Sequence, residues 1–381
     1  MPGCGHPRRE RHCRATRADY LHAGMGERED LWRELRALRA APVGQAREDD
    51  DRREVFAAAL RQSQEFADAA DEAGYATKPL PLYYAFSQGV RAIAAAGLDD
   101  PAWRVRGHGA AVKPAEALLS TAIIPNAVVS ADTRDAVTAV QQLDQGLPAL
   151  VEPMDLGDLW CAMPQLPPLP NGLGAERPRS LRLHLPIYDE LKERAAGEGR
   201  IELAVQGLSA AMTEDELAEA LRSYPTLAGG ESIRSRLPEE PPLSQMYNTA
   251  QSLPTWRSDA LMLDVGYGRK WISEAPVLSW PIGSEGEEKR FGALAPVAIE
   301  GLTDQRLVFP TVGGACQPSF VALWLLLLLG LSSLVRYEPA MWIRAVDPNH
   351  STLAVPLEQV CDRASLFVPQ ILASTFRRIP T

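Results

Sequence analysis

The sequence predicts an α+β fold, predominantly α-helical, with N- and C-terminal helices packed around a central apolar helix and a smaller β-containing middle region. Three observations carry this. Phe320 to Val335, FVALWLLLLLGLSSLV, is the most apolar stretch of the chain. Amphipathic helical stripes occupy both ends. Between them, from Leu181 onward, short alternating strand patterns appear with a helix among them.

The chain has 381 residues, 46% of them hydrophobic and 23% charged, ordinary values for a globular protein with a sizeable core. The formal net charge of -10 gives no global basic footprint for nucleic acid. Five cysteines, Cys4, Cys13, Cys161, Cys316 and Cys361, are odd in number and widely spaced, which fits a reducing cytoplasm. The expected organisation is a disordered basic tail over 1–24, an N-terminal helical region over 25–175, an α+β middle region over 176–306, and a C-terminal helical region over 307–381 that packs back on the first helices. The tail has no apolar core of a secretory signal. Cys4, His6, His12, Cys13 and His22 match no zinc-finger spacing. Met25, followed at once by a helix-like run, is an alternative start.

The first helix is expected over Glu27 to Ala41, with Leu31, Leu35 and Leu38 on one face. The charge run EDDDRRE that follows is assigned to a solvated face. Val55 to Ala73 and Leu82 to Ala96 predict two more helices, antiparallel because the connection is short. The prolines of Lys78-Pro79-Leu80-Pro81 open the second of these. Leu118 to Val129 reads as a strand pair or loop edge, and 135–143 and 156–163 as short helices. Pro164 to Pro170 is read as a packed connector in preference to a polyproline ligand.

In the middle region, 181–186, 201–206, 260–265 and 277–281 are strand candidates. Thr213 and Glu216 form a capping box for a helix that stops before Pro225. An antiparallel sheet with a helix laid on it follows from these. Ser319 is the expected N-cap of the apolar helix, and Pro339 forces its end at Glu338. At 16 residues, about 24 Å at 1.5 Å per residue, it falls short of the roughly 20 residues that span a bilayer. It is therefore read as a core helix, and no integral membrane association is expected. The last helix, Leu353 to Phe376, carries a stripe at 353, 357, 360, 364, 367 and 371, and is expected to lie along the apolar helix with a kink at Pro369.

Two constellations carry candidate chemistry. Arg-x(4–6)-His spacing, which HEPN-like RNA-cutting modules use to hold phosphate and move a proton, occurs at Arg344–His350 and Arg179–His184. Pro348 breaks the first and a strand follows the second, so both are in the wrong context. The preferred set is Ser87, Gln88, Arg91, His108, Arg336, Tyr337 and Glu338. Ser87 and Arg91 share a helix face. Gly107-His108-Gly109 is either a surface turn or a histidine presented to a cleft beside Arg91. Arg336 and Glu338 either cap the buried helix or line that cleft. Walker A, GxGxxG, GxSxG and HExxH patterns are absent, and no cofactor or metal is expected.

FSQGVRAIAAAG (86–97), GHG (107–109), LWCAMPQLP (159–167) and the apolar helix running into LVRYEPAMW (334–342) resemble, in order and rough distance, the YaaC-like family. The resemblance spans roughly residues 30–376. It implies a bacterial, cytoplasmic protein of a largely uncharacterised family, associated by genomic context with defence systems. The function expected is that of a binding or accessory protein with an unknown protein partner. A metal-independent HEPN-like ribonuclease acting on RNA is the alternative, and a membrane-attached protein the third.

Overall fold

A computed structural model of the chain describes residues 17–143, 147, 149–184, 200–209, 211–227, 231–232, 277–281, 306–312 and 317–379. The expected strand at 260–265 lies outside them.

Helix α1 (Arg17–Ala40) begins ahead of Glu27 and buries Leu31, Trp32 and Leu35. After α2 (Gln45–Glu48), helix α3 (Asp50–Glu72) starts inside the charge run assigned to solvent. Asp49 caps it, accepting from the Arg52 N–H at 3.1 Å. The solvated assignment fails at Arg52, which is 7% exposed. Its guanidinium donates to the carbonyls of Ala95, Leu98 and Asp100 at 3.2, 2.7 and 3.1 Å, and lies over the Trp103 ring. A buried charge is tolerated there because it satisfies carbonyls that the end of α4 (Pro79–Gly97) leaves open.

Helices α3 and α4 run antiparallel. Arg52 meets Leu98, Ser63 Oγ donates to the Ala85 carbonyl at 2.7 Å, and Phe66 stacks on Tyr84. Alanines at 92, 94, 95 and 96, all buried, permit the close approach.

Short strands follow: β1 (Arg104–Val105), β2 (Ala110–Lys113), β3 (Ala122–Pro125) and β4 (Thr133–Arg134). Then come α5 (Ala136–Leu143), β5 (Met154–Asp155) and α6 (Leu156–Ala162). β2-β3-β5 form an antiparallel sheet, and β1 pairs with β4 in parallel. The proline-rich segment is a packed connector: Gln165, Leu166 and Leu169 are buried, and Trp160 Nε1 donates to the Pro167 carbonyl at 2.8 Å.

The middle region supplies β6 (Leu181–His184), β7 (Arg200–Gln206), α7 (Glu214–Leu221), β8 (Glu231–Ser232), β9 (Val277–Pro281) and β10 (Arg306–Val308). The strands form one antiparallel sheet in the order β10-β6-β7-β9-β8. α7 begins at the Thr213–Glu216 capping box and lays Leu217 into a small core with Leu181, Val205, Tyr224, Leu227 and Val308.

The larger core is organised by α8 (Phe320–Tyr337), whose residues from Phe320 to Leu334 are all buried. By length and hydropathy it could cross a membrane, but 83% of it is buried inside the protein, packed against α4, α5, α6 and β2. Ser319 caps its start at 3.1 Å, and the Ser319 N–H donates to Gln141 Oε1 on α5 at 2.5 Å. Ser332, polar within this apolar run, returns its hydroxyl to the Leu329 carbonyl. Helix α9 (Pro339–Ala345) follows, anchored by Trp342.

Helix α10 (Ala354–Arg378) corrects the expectation that it lies along α8. It packs mainly on α1 and α4 and touches α8 through Phe367 on Trp324. Part of the reason is steric: a Cβ at Gly89 of α4 would run into Leu372, so this glycine lets α10 settle against α4. Inside α10, Pro369 has no N–H for the Ser365 carbonyl, and Arg28 Nε of α1 supplies the missing donor at 2.9 Å.

Candidate functional site

The site is built where the α4 face, the β1–β2 loop and the end of α8 meet. Tyr83, Ser87 and Arg91 step by four along α4 and share one face. Tyr84 lies beside them, held by the Phe66 stack at 5.2 Å.

His108 is brought to this face by its two glycines. Gly109 has φ +88° and presses so closely on Asp135 that a Cβ would collide with its carboxylate. Asp135 is itself fixed: buried, it accepts from the N–H groups of Val128 and Thr138, each at 2.8 Å, and from the Thr138 hydroxyl at 2.7 Å. The Gly109 carbonyl accepts from the Asn126 N–H at 3.0 Å. The other side of the loop is pinned through Arg134, paired with Asp100 at 2.7 Å. The loop is thus held at both ends.

The Tyr83 hydroxyl bonds to His108 Nδ1, with ring centroids 5.4 Å apart. Burial pushes the Tyr83 hydroxyl up to about 12, against the pull of a hydrogen bond from Ser87 and of Arg336 and Arg91. Burial, then Arg336 and Arg91, push His108 below its usual value. At neutral pH Tyr83 therefore keeps its proton and His108 is neutral, and the bond joins the Tyr83 hydroxyl to Nδ1, where either group can be the donor.

At the end of α8, Arg336 Nε reaches the Ser332 carbonyl at 3.4 Å and Nη1 the Tyr84 hydroxyl at 3.5 Å. Its guanidinium lies over the Tyr337 ring, 5.1 Å from the centroid, and that ring is 68% exposed. Arg91 Nε is buried and has no hydrogen-bond partner among the described residues. Among those residues neither Arg91 nor Arg336 has a carboxylate within ion-pair distance.

Of the residues singled out from the sequence, Ser87, Arg91, His108 and Arg336 thus act on one another through Tyr83, and Tyr337 joins through Arg336. Gln88 is half-buried on α4, and Glu338 is the C-cap of α8, its N–H donating to the Leu334 carbonyl at 2.9 Å. No hydrogen bond or ion pair among the described residues joins these two side chains to the cluster. Sequence reasoning missed Tyr83 and Tyr84, although the Tyr83-Ser87-Arg91 spacing was readable. The alternative pairs separate from the site: Arg344 is exposed on α9, and His350 is held by Asp347 at 2.7 Å in an exposed turn. Arg179 is exposed ahead of β6. No cluster of three His, Cys, Asp or Glu side chains among the described residues is placed to hold a metal.

These contacts join three of the four stretches whose order resembles one family, 86–97, 107–109 and 334–342, and the comparison decides it: the YaaC-like protein family matches residues 35–376. The chain belongs to that family. No curated protein and no solved structure matches it. The family match spans both halves of the site, so in this YaaC-like chain the α4 face and the end of α8 lie within one matched unit.

Proposed function

We propose that this YaaC-like protein is a cytoplasmic binding protein that takes an anionic, phosphate-bearing ligand at Arg91, His108 and Arg336. The observation that carries the reading is the pair of guanidiniums, both acting on His108 and Tyr83, with no carboxylate partner among the described residues. Two cations that both act on His108 and Tyr83, without a carboxylate partner among the described residues, leave a charge that an oxyanion ligand neutralises.

Binding is favoured over strand cleavage by the surroundings of the histidine. Tyr83 occupies Nδ1, and among the described residues no carboxylate is bonded to the ring to orient it or take up its proton. The cytoplasmic setting is supported by Cys361, a free thiol buried in the core.

The test is calorimetric titration of the full chain with inorganic phosphate and pyrophosphate. The expected result is saturable binding that weakens with salt. Arg91→Gln and Arg336→Gln each weaken it by roughly tenfold or more, the worth of a charge-assisted hydrogen bond. Absence of binding to either anion would overturn the proposal. Mixed RNA incubated with the protein and EDTA stays intact on this reading, and cleavage abolished by His108→Ala would replace it with the ribonuclease.

A further inference from the structure

The Tyr337 ring is largely exposed, and it lies under Arg336, one of the two cations of the proposed anion site. On Tyr337, burial is not the explanation, since the ring is 68% exposed at the end of a helix whose other residues are almost all covered. The Arg336 guanidinium rests on one of its faces, 5.1 Å from the centroid. A ring fixed in this way is a stacking platform with a cation at its edge.

We infer that the anion is the terminal phosphate of a nucleotide, whose base stacks on Tyr337. The inference rests on the proposed anion site and names its ligand class. The charged groups that the cluster offers are two guanidiniums, which can only donate, with the Tyr84 hydroxyl beside Arg336. A terminal phosphate brings three non-bridging oxygens and two charges to match them, whereas a carboxylate brings two oxygens and one charge. The adjoining exposed aromatic ring adds what inorganic phosphate or a sugar phosphate cannot use and a nucleobase can. Arg336 belongs to both halves, so the distance from phosphate to ring is that of neighbouring groups on one small ligand. A free nucleotide and the 5′-phosphorylated end of an RNA share this chemistry.

The experiment titrates the full chain with inorganic phosphate, adenosine, AMP, and one short oligoribonucleotide carrying either a 5′-phosphate or a 5′-hydroxyl. AMP should bind more tightly than either phosphate or adenosine. Tyr337→Ala should weaken AMP by roughly five- to hundredfold, the range of one base–aromatic stack, and close the gap between AMP and phosphate. Tyr337→Trp should keep that gap open, which an effect on folding would not do. Preference for the 5′-phosphorylated oligonucleotide over its 5′-hydroxyl form supports the inference with an RNA end as the source; AMP binding alone supports it with the free nucleotide. AMP no tighter than phosphate, or insensitive to Tyr337→Ala, overturns the nucleotide while the anion site stands. Loss of phosphate binding altogether would instead be the failure of the anion site.

Discussion

The Tyr83 hydroxyl sits on Nδ1 of His108 and so ties one nitrogen of that ring to α4. Burial raises Tyr83 to about 12 and, with Arg336 and Arg91, lowers His108, so that at neutral pH the bond joins two uncharged groups.

A pH dependence follows from that pair. The folded state holds His108 below the ordinary histidine value of about 6.5, so the unfolded chain takes up a proton first as pH falls. The stability that His108 contributes is complete above about 6.5 and is lost as pH drops through the lowered folded value. Urea melts from pH 7.5 down to 5 should show this decline, reduced in His108→Gln. Titration of the His108 ring by NMR should give a midpoint under 6.5 that moves upward in Arg336→Gln.

Arg52 should matter to stability more than an arginine in an acidic stretch suggests. Its removal strips three carbonyls of their donor at the α4 terminus. Arg52→Met should cost about 2–4 kcal/mol by chemical denaturation. Arg52→Lys should recover only part, since one ammonium cannot reproduce the planar fork.

Gly89 and Leu372 form a close approach between α4 and α10, with no room for a Cβ at residue 89. Gly89→Ala should destabilise by about 1–3 kcal/mol, the usual range for overpacking a core. Combining it with Leu372→Ala should cost less than the sum of the single changes, giving a negative interaction energy in a double-mutant cycle.

Arg28 and Pro369 supply a cycle of the opposite design. Arg28→Ala leaves the Ser365 carbonyl without the donor it has now, at a cost of about 1–3 kcal/mol. Pro369→Ala restores a backbone N–H at that level of the helix. It should therefore stabilise the Arg28→Ala protein more than it stabilises the wild type, as thermal melts of the four proteins would show.

What could be read from the sequence was what is local. The Ser319 cap, the Thr213–Glu216 box and the proline stop at Glu338 depend on residues within four positions, and each is found where the spacing places it. The core-helix reading of the apolar stretch drew on local facts too, its length and its serines, and the helix is 83% buried inside the protein. Arg52 was misjudged because its partners lie more than forty positions away and are backbone carbonyls, which have no sequence signature. The packing of α10 was misjudged because a helical stripe says which face is buried but not against what. In the candidate site, Arg91, His108 and Arg336 stood out as polar residues in apolar surroundings. Tyr83 did not, because a tyrosine among leucine, alanine and phenylalanine looks like core, and only its hydroxyl distinguishes it.

The position of α8 in the chain has a consequence for synthesis. The faces of α4, α5 and α6 that it covers are encoded before residue 163, while α8 itself is not complete until Tyr337. At a ribosome's pace of about 5–20 residues per second, α4 leaves the tunnel roughly ten to fifty seconds before its partner exists. For that interval the nascent chain carries an uncovered alanine-rich face and half of the proposed anion site, Ser87 and Arg91 without Arg336. The order of the helices thus keeps that proposed site from being completed until translation has passed Tyr337.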